Sequence, residues 1–374
     1  MRLAIDAHAV GSRLTGNERY IQNLAEQLLR LDGKNEYYLF FSHEEEERRW
    51  AGRAPNLRTV LVSQNPFRRL GFDFITQLRR IRPEVFHYQY TGPVLAVSPE
   101  VVTIHDISFE EHPEFFSRQE RYRLYLTVRR AVKTARRIIT VSEFSRSQIV
   151  RLLGVPEEKI RVIYNGVGPE FRPIHDQEAI EQRLGRYGLR KPYLLAVGNI
   201  SRRKNQKVLV RGFAAWLRRQ RDAEHQLVLA GRQDSTVEDI RHEAAGLGLA
   251  PTQIVFPGYI PDQDLPYLYA GAELFLAPSL YEGFGLPLVE AMACGIPVIA
   301  SRASCFPEIA GEAVRYVDPL DPEEIAVSMG EVIENAAYAQ ELVQRGLQRA
   351  RLFRWDEAAR QTLDVYQEMV EGRE

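Results

Sequence analysis

Short apolar runs alternate with amphipathic stretches along nearly the whole of this chain. Runs such as Tyr37–Phe41, Val85–Tyr88 and Ile138–Val141 are apolar almost throughout, as strands covered on both faces by helices must be. Between them, apolar positions recur every three or four residues, the period of a helix with one buried face. In the first half the pattern predicts strands at Leu3–Ile5, Tyr37–Phe41, Thr59–Val62, Val85–Tyr88, Val101–His105, Ile138–Val141 and Val162–Tyr164. Helices fall between them at about 16–31, 70–81, 117–136 and 143–153. The segment Asn165–Lys191 is rich in Gly, Pro and charge and breaks the alternation. A second series follows, with strands at Tyr193–Val197, Gln226–Ala230, Ile254–Phe256, Leu274–Ala277, Val298–Ala300 and Ala313–Tyr316. Its helices lie at about 204–219, 235–247, 262–270, 287–294, 321–335, 338–352 and 355–372. Strand–helix alternation on this scale predicts α/β architecture: two doubly wound, Rossmann-like domains facing across a cleft. The expected boundaries are 1–172 for the first domain, 173–190 for a linker and 191–354 for the second.

At 374 residues the chain exceeds one simple core, in keeping with two domains. With 45% hydrophobic and 26% charged residues it has a globular, soluble composition. No apolar run approaches the ~20 residues of a membrane span, and Met1–Asp6 leads into a strand rather than a signal peptide. The two cysteines, Cys294 and Cys305, lack metal-ligand spacing, so buried thiols in a reducing, cytoplasmic setting are expected. The net charge of −1 is unevenly spread: residues 1–172 hold 27 Lys/Arg against 21 Asp/Glu. That bias suits an anionic acceptor or membrane face, and it is too small to suggest nucleic acid.

The chemistry is concentrated in the run from Glu282 to Ile299. Gly283 and Gly285 allow a tight turn close to a ligand, and Pro287 suits a first helical turn. A helix starting at about 286 presents amide N–H groups and a positive dipole end to phosphate. Glu282 stands at its mouth and Glu290 about one turn inside, both able to accept bonds from sugar hydroxyls. A second site opens the later half, where a strand ends at Gly198 and Asn199-Ile-Ser-Arg-Arg203-Lys204-Asn205 leads into a helix. Arg203 as a fork and Lys204 as a point charge can neutralise a diphosphate. In the first half, His105 ends an apolar strand and Asp106 follows it. The segment Asn65–Arg80 interleaves arginines with Phe67, Phe72 and Phe74. It reads either as an amphipathic helix covering the sheet or as a contact with anionic lipid.

Residues 282–298, E-G-F-G-L-P-x-x-E-A-M-A-C-G-x-P-V, closely resemble the glutamate–seven residues–glutamate motif of retaining glycosyltransferase family 4. Arg203-Lys204-Asn205 resembles the same family's basic motif, though many members carry arginine where this chain has Asn199. Val102–Ser117 resembles mannosyltransferase-like members, in which the residue matching His105 contacts the donor sugar. His112 then helps fix the loop. Phe256–Ile260 resembles the loop whose backbone, here at Tyr259 and Ile260, faces the base. Gly16 lies in a loop that relatives spell T-G-I-G-R-Y, with Glu18 replacing the second glycine, so the side chain narrows the acceptor approach, accepts a hydroxyl or points to solvent. Val141–Ser145 resembles a further family turn, for which a capping serine at 142 is a sufficient explanation.

The resemblance implies the GT-B fold, with the terminal helix 355–374 joining the first, acceptor-side domain and the second domain binding the donor. It implies retaining transfer of a sugar, mannose from GDP-mannose by analogy, to an acceptor hydroxyl of a glycan, glycolipid or small molecule. Glu282, Arg203, Lys204 and His105 are the expected catalytic residues. Gly16, Gly198, Asn199, Tyr259, Ile260, Gly283, Phe284, Gly285, Leu286 and Glu290 are expected at the donor. Neither glutamate is assigned as a covalent nucleophile, and the leaving phosphate assists a front-face substitution. No metal or cofactor is expected, since the basic pair can do a metal's work. The expected location is the cytoplasm, with peripheral contact at the inner membrane face as the alternative. A nicotinamide dehydrogenase would need a third glycine that is missing after Gly285. A GT-B epimerase or sugar-phosphate synthase, or a non-catalytic sugar-nucleotide binder, would share the fold.

Overall fold

The computed structural model describes residues 1–12, 15–220, 224–233 and 236–372. It divides into two compact units, Met1–Gly166 with Arg354–Glu374, and Val167–Phe353.

The first unit is built on seven strands: β1 (Arg2–Asp6), β2 (Glu36–Phe41), β3 (Leu57–Leu61), β4 (Val85–Gln89), β5 (Glu100–Thr103), β6 (Arg137–Thr140) and β7 (Ile160–Val162). They lie in the order β3-β2-β1-β4-β5-β6-β7, and all the pairings are parallel. Phe40, Phe74, Phe86 and Tyr88 meet edge-on or tilted in its core. The terminal helix Trp355–Glu371 packs in this unit against Thr15–Leu31. Its Tyr366 hydroxyl lies 2.6 Å from Nδ1 of buried His87, and Tyr20 lies edge-on to Trp355.

The second unit holds β8 (Tyr193–Val197), β9 (Gln226–Ala230), β10 (Ile254–Gly258), β11 (Leu274–Ala277), β12 (Val298–Ser301) and β13 (Arg315–Val317). Their order is β10-β9-β8-β11-β12-β13, again parallel. In both sheets the order reverses beside the first strand, at β1/β4 and at β8/β11. Loops leaving the carboxyl ends of such a pair part in opposite directions and open a crevice.

The stretch 173–190, expected as a linker, instead contains the helix Gln177–Gly185 within the second unit. Asp176 caps it by accepting from Ala179 N at 3.0 Å, and Ile180 and Leu184, one turn apart, are buried. Two apolar positions among charges and a glycine leave little periodic signal, so the helix depends on packing. The helix Glu44–Trp50 was equally hidden: its run of charges buries only Trp50.

Candidate functional site in the second unit

The β8/β11 reversal brings together two segments nearly eighty residues apart. After β8, Gly198 takes φ +142, and Arg202–Lys204 form one 3-10 turn. Asn205, at φ 59, turns the chain into the helix Gln206–Leu217. The amide of Leu280, just beyond β11, donates to Arg203 O at 2.9 Å. Asn205 Nδ2 donates to Pro278 O and Pro319 O at 3.2 and 2.6 Å. Asn205 therefore fixes the spacing of the two loops from below.

Three charged side chains meet across that seam. Arg203 Nη1 donates to Glu282 Oε2 at 2.8 Å and to Tyr281 O at 3.0 Å, while Lys204 Nζ lies 2.6 Å from Glu282 Oε1. The glutamate is 6% exposed, and Ser304, at φ 53, accepts from its backbone N at 3.0 Å. Burial alone would raise its pKa, but Arg203 and Lys204 outweigh that and hold it down, at about 2. A carboxylate stays ionised inside a protein only with such partners. The cluster carries one net positive charge, with Arg203 and Lys204 still reaching solvent.

Gly198 and Gly285 shape this cluster. A Cβ on Gly198 would stand 2.9 Å from Lys204 Cε, so the lysine stem lies over the bare backbone. Gly285, at φ 86, would place a Cβ 2.5 Å from the Phe306 ring. It precedes the helix Leu286–Ala293. Pro287 has no N–H, and the amides of Leu288 and Val289 turn to Gly285 O. The helix start therefore offers fewer donors than a free helix end, and Arg203 and Lys204 supply most of the positive charge.

The other expected residues divide by environment. Glu290 is 3% exposed and accepts from the Tyr269 hydroxyl at 2.8 Å. Phe284 turns its ring inward, edge-on to Phe353 at 5.4 Å, so its backbone is what it offers the loop surface. Asn199 Oδ1 is buried with no hydrogen-bond partner among the described residues, while its carbonyl accepts from Gln206 Nε2 at 3.2 Å. Tyr259 is exposed, Ile260 buried and Leu286 half-buried. The two thiols are buried and unlinked.

In the first unit, His105 lies two residues beyond β5 rather than on it, and is buried. Its Nε2 lies 2.7 Å from Gln89 Oε1, and Tyr20 stands edge-on to its ring at 4.6 Å. Gln89 Nε2 donates to Asn17 O at 3.3 Å, which leaves Oε1 as the acceptor and places the imidazole proton on Nε2. Burial lowers the His105 pKa to about 4, against a nearby Asp106. The ring is neutral at pH 7, with Nδ1 as an acceptor. Asp106 accepts from Ser108 N and Oγ at 2.9 and 2.6 Å, a turn-building role. His112 Nδ1 lies 2.9 Å from Glu114 and its ring stacks on Phe115, as a loop-fixing residue should.

Glu18 reaches back along its own loop, and its Oε1 accepts from Gly11 N at 2.7 Å. Gly16 is exposed, with open space where a Cβ would sit. Arg13 and Leu14, in the same loop, lie outside the described residues. Gln89, Tyr20, Ser304 and Tyr269 had no motif to mark them. Asn205 had one, since an asparagine at a strand–helix turn suits a positive φ.

Residues 14–171 match the family described as Glycosyltransferase Family 4, and residues 176–349 the family described as Glycosyl transferases group 1. O-antigen chain mannosyltransferase B of Escherichia coli is 32% identical over 284 residues, covering 75% of this chain and 74% of the relative. The serotype-specific mannosyltransferase WbdA of Escherichia coli is 28% identical over 237 residues, and the match spans only 29% of its length. Sucrose-phosphate synthase from Thermosynechococcus elongatus superposes with a TM-score of 0.80 at 20% identity, with 100% of each chain covered.

Proposed function

The chain belongs to glycosyltransferase family 4 and is a glycosyltransferase of the GT-B fold, and from that premise we propose that it moves mannose from GDP-mannose to an acceptor hydroxyl, with retention and without a metal ion. The observation that carries this reading is the Arg203–Glu282–Lys204 cluster at the β8/β11 reversal. Departure of a nucleoside diphosphate builds negative charge on the leaving oxygen. Two cations already fixed beside it lower that barrier without reorganising during the reaction.

In this scheme Arg203 and Lys204 take the diphosphate, and Glu282 accepts hydrogen bonds from hydroxyls of the transferred sugar. Glu290, held by Tyr269, accepts from the nucleotide's ribose. His105 accepts a hydrogen bond at Nδ1 from a hydroxyl of the transferred sugar. The leaving phosphate takes the acceptor's proton as the new glycosidic bond forms on the same face of the sugar. Gly198, Asn199, Gly283, Gly285 and Leu286 offer backbone to the phosphates and sugar, and Tyr259 and Ile260 offer it to the base. Mannose as the donor sugar is supported by the mannosyltransferase relative. A glycan or glycolipid acceptor is supported by the O-antigen named in that relative's description. No helix among the described residues is long and apolar enough to cross a membrane. In this scheme the reaction takes place at the cytoplasmic side.

A thermal-shift panel of GDP-, UDP- and ADP-sugars tests the donor, because a ligand of the native state raises its melting temperature. GDP-mannose is expected to give the largest rise at equal concentration, and Arg203→Ala with Lys204→Ala to abolish it. An equal or larger rise with a UDP- or ADP-sugar would reject the donor assignment.

A further inference from the structure

One face of the first unit has more exposed apolar surface than its packing needs. Phe67 is 87% exposed and Phe72 62%, in a helical run from Pro66 to Ile81 that widens to a π turn at Arg69–Asp73. Five positions apart, they would point to different sides of a regular α-helix of about 3.6 residues per turn. The wider turn brings them toward one side. Tyr122, 66% exposed, and Leu126 lie in the first half of the helix Arg118–Thr134. Val94 and Leu95 are exposed on the loop between β4 and β5.

Hydrogen bonds join these three segments into one surface. Val94 N donates to Leu70 O at 3.1 Å, Arg130 Nη2 to Val94 O at 2.5 Å, and Thr91 Oγ1 to Thr127 Oγ1 at 3.2 Å. The exposed helix start is firmly built. Ser117 and Glu120 form a reciprocal capping box, so Arg118–Leu126 is ordered helix standing in solvent, not a frayed end.

Its charge identifies the occupant. Residues 118–137 hold eight Lys/Arg against one acidic residue, and residues 65–82 hold five against one. Arg118, Arg121 and Arg123 are exposed beside Tyr122 and Leu126. Arginines that flank aliphatic and aromatic tips match an anionic lipid surface, with headgroups meeting the cations and tips entering the acyl boundary. A nucleic acid would have no use for the aliphatic tips. A twofold-related second copy would set these arginines against themselves.

We propose that the face formed by Phe67, Phe72, Leu95, Tyr122, Leu126 and their neighbouring arginines docks on an anionic membrane surface. The proposal does not depend on which sugar donor is used. It is tested by sedimenting the purified full-length protein with vesicles of phosphatidylcholine alone, or mixed equally with phosphatidylglycerol. Binding is expected only to the mixed vesicles and is expected to weaken as salt rises. Replacing Arg118, Arg121 and Arg123 with Gln should lower the partition coefficient on the order of a hundredfold. A Phe67→Ser/Phe72→Ser/Tyr122→Ser variant should also lose binding, at a melting temperature close to the parent's. Sedimentation indifferent to lipid charge, or variants that bind like the parent, would overturn the proposal. So would a dimer in sedimentation velocity that these variants dissociate without any lipid binding.

Discussion

Lys204 Nζ lies 2.6 Å from Glu282 Oε1, so a cation assigned to the donor diphosphate is already paired with a carboxylate. Arg203 holds the other oxygen. The pair is set by backbone: Leu280 N on Arg203 O, Asn205 beneath, and Gly198 under the lysine stem. In the proposed scheme an incoming diphosphate competes with Glu282 for both cations, and the displaced carboxylate then meets sugar hydroxyls. Under that scheme the same residue restrains the site when empty and orients the sugar when filled.

Glu282→Gln is expected to separate these two roles. Without the competing charge, a nucleoside diphosphate should bind several-fold more tightly, while transfer falls by about 10²–10³. The empty protein should lose about 2–4 kcal/mol, because two partly buried cations lose their counter-charge. The stabilisation gained on adding nucleotide should grow by about 1 kcal/mol, the free energy of that several-fold gain in affinity. Weaker nucleotide binding by the variant in calorimetry would contradict the competition.

The depressed pKa of Glu282 has a consequence in acid. Its folded value, about 2, lies below the ordinary 4.5. The stability it contributes is therefore complete above pH 4.5 and lost as pH falls toward 2. The loss is on the order of 3 kcal/mol at its limit. Urea denaturation of parent and Glu282→Gln at pH 6, 4 and 3 should show the gap between them narrowing. A gap that stays constant over that interval would rule out the ionised pair as its source.

Gln89 is expected to act through His105. A neutral imidazole with a pKa of about 4 does not titrate between pH 6 and 8, so it adds no slope to the parent's rate there. Gln89→Glu places a carboxylate on Nε2 and should lift that pKa by about one to three. Transfer should then fall as pH drops from about 7 to 5, and recover in alkali. Gln89→Ala should instead lower the rate without a new pH limb. If the Glu and Ala variants share one flat pH profile, Gln89 does not set the protonation of His105.

The sheets were legible because strands covered on both faces read as apolar runs; Tyr193–Val197, Gln226–Ala230 and Leu274–Ala277 match β8, β9 and β11 to the residue. The motifs at Arg203 and Glu282 were visible as strings. Their contact was not, since it needs β8 beside β11 rather than β9 alone, a matter of sheet order. Gln89 carries no signal in the sequence, because one polar residue ending an apolar strand has no distinctive spacing. For Glu18, substitution of a loop glycine left three readings open, and the bond to Gly11 N shows the side chain bracing its own loop.

Gly198→Ala offers a test of the geometry rather than the charge. The residue sits at φ +142, where a side chain is strained at a cost of about 1–3 kcal/mol. Its new Cβ would press on Lys204 Cε at 2.9 Å and Nζ at 3.1 Å. A lysine stem can swing aside, so the protein should fold, with its ammonium moved off Glu282 and away from the diphosphate. Nucleotide affinity is expected to fall at least tenfold, about 1.4 kcal/mol. The decisive comparison is the Gly198→Ala/Lys204→Ala double variant. If the alanine acts by displacing the lysine, the double variant should bind nucleotide no worse than Lys204→Ala alone, a coupling of more than 1 kcal/mol. Additive losses would mean that Gly198 serves the ligand through its own backbone. Gly231→Ala is the contrasting control, since its Cβ would stand 2.0 Å from the Gly198 carbonyl oxygen. Backbone cannot swing aside as a lysine does, so that variant should lose folding stability first, and nucleotide should restore little of it.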